Sequence, residues 1–260
     1  MSAVRLEFCN VTKQFRTPGQ PDVVAVVDVV LHVLDGEVVS LIGPSGCGKS
    51  TLLNMAAGLY PVSAGEVKVD GVVVTGPSAH VAFMLQKDLL LPWRTIRSNI
   101  EFGLEIQHAS AAIRRAQAEK LLGTCRIADF ADHYPHQLSG GMRQRAALAR
   151  TLAVDPSVLL LDEPFSALDA QTKMVLQQDL AETLHVEKKT ALFITHDLSE
   201  AVALSDRVLV MSRRPGSIIE VINIDIPDRH NPLARRRHVR HAEYVSHLMN
   251  LLDIGQMELS

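Results

Sequence analysis

Several things are scarce or missing in this sequence, and each absence removes a class of function. There is no excess of basic charge: 26 Lys and Arg face 29 Asp and Glu, for a formal net charge of -3. No global positive field therefore suggests nucleic acid as a partner. Cysteine is rare, with Cys9, Cys47 and Cys125 widely spaced and odd in number. They make neither a disulfide framework nor a metal cluster, so reduced thiols in a cytosolic protein are expected. The segment Met1 to Phe8 holds no apolar signal core. No apolar run reaches the length of about eighteen residues that a bilayer crossing needs. Work at a membrane would fall to a peripheral subunit. Internal repeats and low-complexity tracts are absent too.

What is present suffices for one large domain, or a core with a subdomain: 260 residues, 47% of them hydrophobic. Val4 to Val11 alternates and reads as a strand, Arg16 to Asp22 as a loop, and Val23 to Val33 as a returning strand before the Asp35-Gly36 turn. Glu37 to Ile42 is a short apolar run into a glycine loop. Lys49 to Ala57 then reads as a helix closed by Gly58. Val67 to Val69 and Val72 to Val74 flank Asp70-Gly71, a type I′ hairpin signal. Val81 to Leu85 reads as a buried strand. From about Pro92 to Val154 Ala, Leu, Arg, Glu and Gln dominate, which favours helix. Ala109 to Leu122 and Met142 to Ala153 are the clearest cases. This stretch is expected to be a helical subdomain inserted into an α/β core.

The core resumes at Val158 to Leu161, an apolar run suited to a parallel strand buried on both faces. Thr190 to Ile194 and Arg207 to Met211 repeat the style, with helices expected at Gln171 to Leu184 and Asp197 to Leu204. Ile218 to Ile226 reads as edge strand, and about His238 to Leu252 as a helical tail. The expected division is 1–91 with 155–227 as nucleotide-binding core, 92–154 as helical subdomain and 228–260 as tail.

The glycine loop reads Gly43-Pro44-Ser45-Gly46-Cys47-Gly48-Lys49-Ser50, a complete GxxxxGK[ST] phosphate-binding motif between strand and helix. Gly43, Gly46 and Gly48 let backbone N–H groups turn inward, and the following helix points its positive end at an anion. Lys49 adds a charge at the β- and γ-phosphates of ATP, Ser50 a hydroxyl to Mg2+, and Thr51 is placed for the α-phosphate. Asp162, ending its apolar strand, faces the crevice where such sheets bind ligands and suits Mg2+, through a water. Glu163 is placed to polarise the attacking water. Cys47 is either inert filler or, at a helix N-terminus, an ionisable thiol that reagents would attack.

These segments, in their order, resemble the ATP-binding subunits of ABC transporters over nearly the whole chain. The resemblance implies a RecA-like P-loop ATPase core with an antiparallel β-subdomain and an inserted α-helical subdomain. Gln86 matches the family's Q-loop glutamine, in contact with Mg2+. Leu138-Ser139-Gly140-Gly141-Met142-Arg143-Gln144-Arg145, preceded by Gln137, matches the signature. Ser166-Ala167-Leu168-Asp169 matches the D-loop, His196 the γ-phosphate histidine, and Phe15 the aromatic that stacks on adenine. The resemblance also implies a head-to-tail homodimer. Ser139, Gly140 and Gly141 of one copy would close over the ATP of the other.

Gln86 to Ile96 and Ser212 to Gly216 look like the ATPases of bacterial nitrate, sulfonate and taurine importers. That implies permease subunits in the membrane, a periplasmic or extracellular solute-binding protein, and a place on the cytoplasmic membrane face. The segment Leu89 to Asn99, with the sole tryptophan Trp93, is either an exposed docking surface for a permease helix or packing between subdomain and core. The basic run Arg235 to Arg240 is either a solvated helix face or a contact to anionic lipid. A soluble ATP-driven dimer acting on a macromolecule is the alternative. A metabolite kinase leaves Leu138 to Met142 without a role.

Overall fold

Apolar runs that read as strands become strands, divided between two sheets. The computed structural model describes residues 3–16, 18–19, 21–166 and 168–252. Ala167 of the Ser166 to Asp169 segment, and the tail beyond 252, lie outside them. β1 (Val4–Phe15) and β2 (Val23–Leu34) pair antiparallel. β3 (Val38–Ile42) is buried at every residue and runs into the glycine loop, from which α1 (Lys49–Ala56) emerges. β4 (Ala64–Val69) and β5 (Val72–Val73) turn through Asp70 and Gly71, at φ 50° and 77°. Both central residues of a type I′ turn need positive φ, so Asp-Gly sets this hairpin. β6 (Val81–Met84) follows, then three helices: α2 (Ile96–Ile106), α3 (Ala111–Thr124) and α4 (Gly140–Ala153). β7 (Val158–Asp162), α5 (Ala170–Val186), β8 (Thr190–Ile194), α6 (Leu198–Leu204), β9 (Arg207–Met211) and β10 (Ile218–Asn223) complete the sheet layer. α7 (Pro232–Arg237) and α8 (Val239–Leu251) close the described chain.

The smaller sheet has the order β2-β1-β4-β5, with every pairing antiparallel. The larger has the order β10-β9-β3-β8-β7-β6. Its strands are parallel except for the antiparallel edge strand β10. β7, β8 and β3 sit centrally and carry the continuous apolar runs. Leu159, Leu160 and Leu161 are all fully buried, each such side chain contributing roughly 1.5–3 kcal/mol. One apolar cluster joins the larger sheet to α2, α3, α4 and α5, a second surrounds α1 between the two sheets, and a third joins Ile42 to α6, β9, β10 and α8.

Three elements differ from expectation. β6 lies at the sheet edge, so its burial alternates instead of being complete. α2 begins inside the Leu89 to Asn99 segment, which divides between the two readings given for it, Leu89 and Trp93 being exposed. Thr95 caps it by accepting from Ser98 N–H, and Ile96 and Ile100 enter the core. The tail is two helices, because Asn231 caps an additional one with Pro232 in its first turn.

The basic run is divided, with Arg235 and Arg236 turned to the protein and Arg237 exposed. Arg235 is buried and donates to Ala203 O (3.1 Å) and Ser205 O (2.8 Å). Burial pushes its pKa down to about 10. Arg236 donates to Gln177 Oε1 at 2.6 Å, and Arg240 pairs with Asp225 at 2.5 Å. Arg235 and Arg236 fasten the tail to the core.

Candidate functional site

Five loops leave the C-terminal ends of the parallel strands, and each brings one part of the site. β3 delivers the phosphate loop, β6 delivers Gln86, β7 delivers Asp162 and Glu163, β8 delivers His196, and β9 delivers Arg213 and Arg214. In open parallel sheets this is the edge where ligands bind.

A cavity of about 360 Å³ opens there, lined by Ser45, Gly46, Gly48, Lys49, Ser50, Thr51 and Glu163 from the loops, with Phe15, Val23, Ala25 and Arg214 around them. Lys49 Nζ donates to Gly43 O (2.7 Å) and Pro44 O (3.0 Å), folding the lysine along its own loop. Gly48 is required by space: a Cβ there would lie 2.4 Å from Val26 Cγ1. Cys47 is 1% exposed and does not line the cavity. Of the two readings of Cys47, this burial favours inert filler over a readily attacked thiol. Phe15 is half-buried at the cavity wall, with Tyr60 edge-on at 5.6 Å and Lys13 Nζ 5.0 Å from its ring centre.

Gln86, Glu163 and His196 meet. His196 Nδ1 lies 3.3 Å from Glu163 Oε2, and Gln86 Nε2 lies 3.5 Å from the same oxygen while donating to Ser166 Oγ at 3.0 Å. Glu163 takes φ 46°, a left-handed conformation that costs on the order of 1–3 kcal/mol and clusters at functional sites. Asp162, one residue earlier, has its pKa raised by burial, against the pull of a hydrogen bond from Ser50. Ser50, Asp162 and Gln86 offer only hard oxygen ligands, the donor set that suits Mg2+.

The signature residues do not join this cavity. Ser139 caps α4, its hydroxyl accepting from Met142 N–H at 3.3 Å. Gly140 is exposed beside Gln86 in a separate cleft of about 610 Å³. Gly141 is buried against α5, where a Cβ would stand 2.5 Å from Thr172 Cγ2. Asp169 caps α5, accepting from Gln171 N–H (3.1 Å) and Thr172 N–H (3.0 Å). That bonding with Thr172 holds its carboxyl below the usual range.

Three contributors lie outside the family motifs, and Asn99 carries no local sequence signal at all. Asn99 is wholly buried and braces the loop that presents Trp93. Its Oδ1 accepts from Leu91 N–H (2.7 Å), and its Nδ2 faces Leu91 O, Arg94 O and Thr95 O at 3.2, 3.1 and 3.0 Å. Tyr60 could have been suspected from its place just after the glycine that closes α1. Arg214 could have been suspected from the turn-forming Arg-Arg-Pro-Gly.

The chain matches the family model described as ABC transporter over residues 26–166. It belongs to the ABC transporter ATP-binding family. The cassette is 44% identical to an uncharacterised ABC transporter ATP-binding protein of Methanocaldococcus jannaschii, over 96% of this chain and 91% of that one. It is 46% identical to the taurine import ATP-binding protein TauB of Yersinia pestis, over 82% of each chain. A solved ATP-binding cassette, a dimer in a post-hydrolysis state with ADP and Pi, superposes with TM-score 0.74 at 32% identity, covering 85% of this chain and 99% of that one. This cassette is accordingly an ATP-binding, transport-coupled ATP hydrolase with the P-loop ABC fold. Among its described residues, no helix is long and apolar enough to cross a membrane.

Proposed function

We propose that this cassette energises the import of a small organic anion of the taurine or sulfonate class, working at the cytoplasmic membrane face under two permease subunits supplied by a solute-binding protein. The observation that carries the reading is the surface beside Gln86. Trp93 is 72% exposed and Leu89 54%, on a loop that Asn99 holds rigid, next to the cleft between Gln86 and α4. A lone exposed tryptophan on a braced loop is an anchor for a docking helix. Leu90 and Ile96 of the same segment are buried, so only part of it is offered. The 46% identity to a taurine import ATPase supports the solute class.

In this reading the amides of Gly43 to Gly48, with Pro44, Ser45 and Cys47 shaping the loop, and Lys49 bind the phosphates, Thr51 the α-phosphate, and Phe15 stacks on adenine. Ser50, Asp162 and Gln86 would hold Mg2+, which would supply positive charge to offset the negative charge of the phosphates. Glu163 accepts a proton from the water that attacks the γ-phosphorus, as the bond to the ADP oxygen breaks. His196 and Gln86 hold that carboxylate in place. Ser139, Gly140, Gly141 and Asp169 serve the ATP of a second copy, which fits their absence from this chain's own cavity. Residues 92–154 act as the subdomain that carries the signature and Trp93, and 228–260 as a tail.

The test is growth of the host strain carrying Lys49→Ala, with taurine or alkanesulfonates as sole sulfur source and nitrate or cyanate as sole nitrogen source. A defect on taurine or sulfonates alone, rescued by the wild-type chain, is expected. A defect on nitrate alone would move the solute within the subgroup. Normal growth on every source would sink the assignment and favour the soluble ATPase dimer.

A further inference from the structure

The turn between β9 and β10 has no part in the reading above, and it is built to hold one shape. Ser212 N–H donates to Ser217 O and Ser217 N–H to Ser212 Oγ, both at 2.9 Å, and the two hydroxyls lie 3.1 Å apart. The turn is tied to β2, where Gly216 N–H donates to Ala25 O and Val27 N–H donates to Gly216 O, each at 2.9 Å. It is also pressed against the phosphate loop: a Cβ on Gly216 would stand 2.0 Å from Cys47 O. Phosphate loop, β2 and turn thus form one packed unit, and Arg214 sits at its tip.

Arg214 borders the nucleotide cavity together with Phe15, Lys49 and Thr51. Its Nε donates to Val24 O at 3.4 Å, which orients the guanidinium against β2 and uses one of five N–H donors. Arg214 and Lys49 are the two cations lining this cavity, and Lys49 is directed along the Gly43 and Pro44 carbonyls. A triphosphate brings several negative charges into that space. A planar guanidinium on a rigid mount recognises phosphate oxygens in a forked geometry.

We propose that Arg214 is a nucleotide-binding residue whose guanidinium contacts the phosphate chain of the nucleotide held in its own chain's cavity, as a second cation beside Lys49. Its neighbour Arg213 borders only the adjoining cavity, which shares Ser45 and Arg214 with this one.

Isothermal titration of the full chain with MgADP, and competition by magnesium tripolyphosphate, test the proposal. Tripolyphosphate carries the phosphate chain without a base, and neither probe requires turnover. Arg214→Ala is expected to weaken both probes about tenfold, which is roughly 1.4 kcal/mol, and to flatten their salt dependence. Arg214→Lys should recover part of the loss. The side chain is exposed, so the melting temperature without nucleotide should not move. If it does, Arg214→Lys read at a temperature where both proteins are folded decides. MgADP affinity within about twofold of wild type in Arg214→Ala would overturn the proposal. So would a loss for MgADP without one for tripolyphosphate, since that places the contact on the nucleoside. Intact MgADP affinity with loss only of ATP-dependent dimerisation would place Arg214 against a second copy and overturn it as well.

Discussion

Arg150 Nη1 donates to Leu89 O at 2.7 Å, and its Nη2 donates to Asp88 O at the same distance. α4 therefore grips the main chain just after Gln86. Gln144 Nε2 adds a bond to Gln86 O at 3.3 Å, and Arg143 Nε one to Asp88 Oδ2 at 2.9 Å. The helix that starts at the signature is thus bonded directly to the loop that presents Gln86 and Trp93.

Arg150→Ala should release that loop. Hydrogen bonds to a charged group are worth about 1.5–3 kcal/mol each, so a loss of a few kcal/mol is expected in denaturant unfolding. ATPase of the isolated chain should persist, while transport-coupled ATPase in reconstituted vesicles falls. Retention of full coupling would separate α4 from the docking loop.

Glu163→Gln should lower ATP turnover by about 10²–10⁴, the usual worth of a positioned general base. The substitution keeps shape near Gln86 and His196 but cannot accept the proton. Nucleotide affinity, measured by titration with MgADP, should change little. Turnover near the wild-type rate would move the base role elsewhere, with Asp162 the nearest other carboxylate.

Glu200 is buried against Lys173 (3.0 Å) and Gln177 Nε2 (2.9 Å). Burial raises its pKa, with Lys173 pulling the other way. A carboxyl whose folded pKa is raised binds its proton more tightly in the folded state. Its titration therefore adds stability as pH falls through the folded pKa and removes it as pH rises. Wild type should gain stability relative to Glu200→Gln as pH drops from neutral toward about 5. Thermal unfolding of both proteins across that window checks the sign, and a constant difference would show that Lys173 cancels the burial.

The central strands were legible because their chemistry is local. β8 and β9 begin and end where their apolar runs do, and Asp70-Gly71 announces its own turn. The phosphate loop, Glu163 and His196 could be placed because each sits at the end of such a run. What stayed hidden depends on distant partners. Arg235 looks like a surface charge until Ala203 O and Ser205 O are brought to it from some thirty residues away in the chain. α2 starts with Ile-Arg-Ser-Asn and contains Gly103, a weak helical pattern that packing against α3 and α4 stabilises. Its Thr95 cap was the available signal. Asn99 reads as a poor helix former, yet tertiary carbonyls give it the structural role of bracing the Trp93 loop.

The third apolar cluster sets an order of events during synthesis. Ile42, the last residue before the phosphate loop, shares that cluster with Leu198, Ile222, Ile224 and Leu248. Arg235 and Arg236 clamp the same tail onto the segments just after α6 and onto α5. The strand that carries the loop is therefore made early but sealed late. A ribosome must deliver the chain as far as α8 before the phosphate loop rests on a finished floor. A partly made cassette would hold its most recognisable motif on unfinished support.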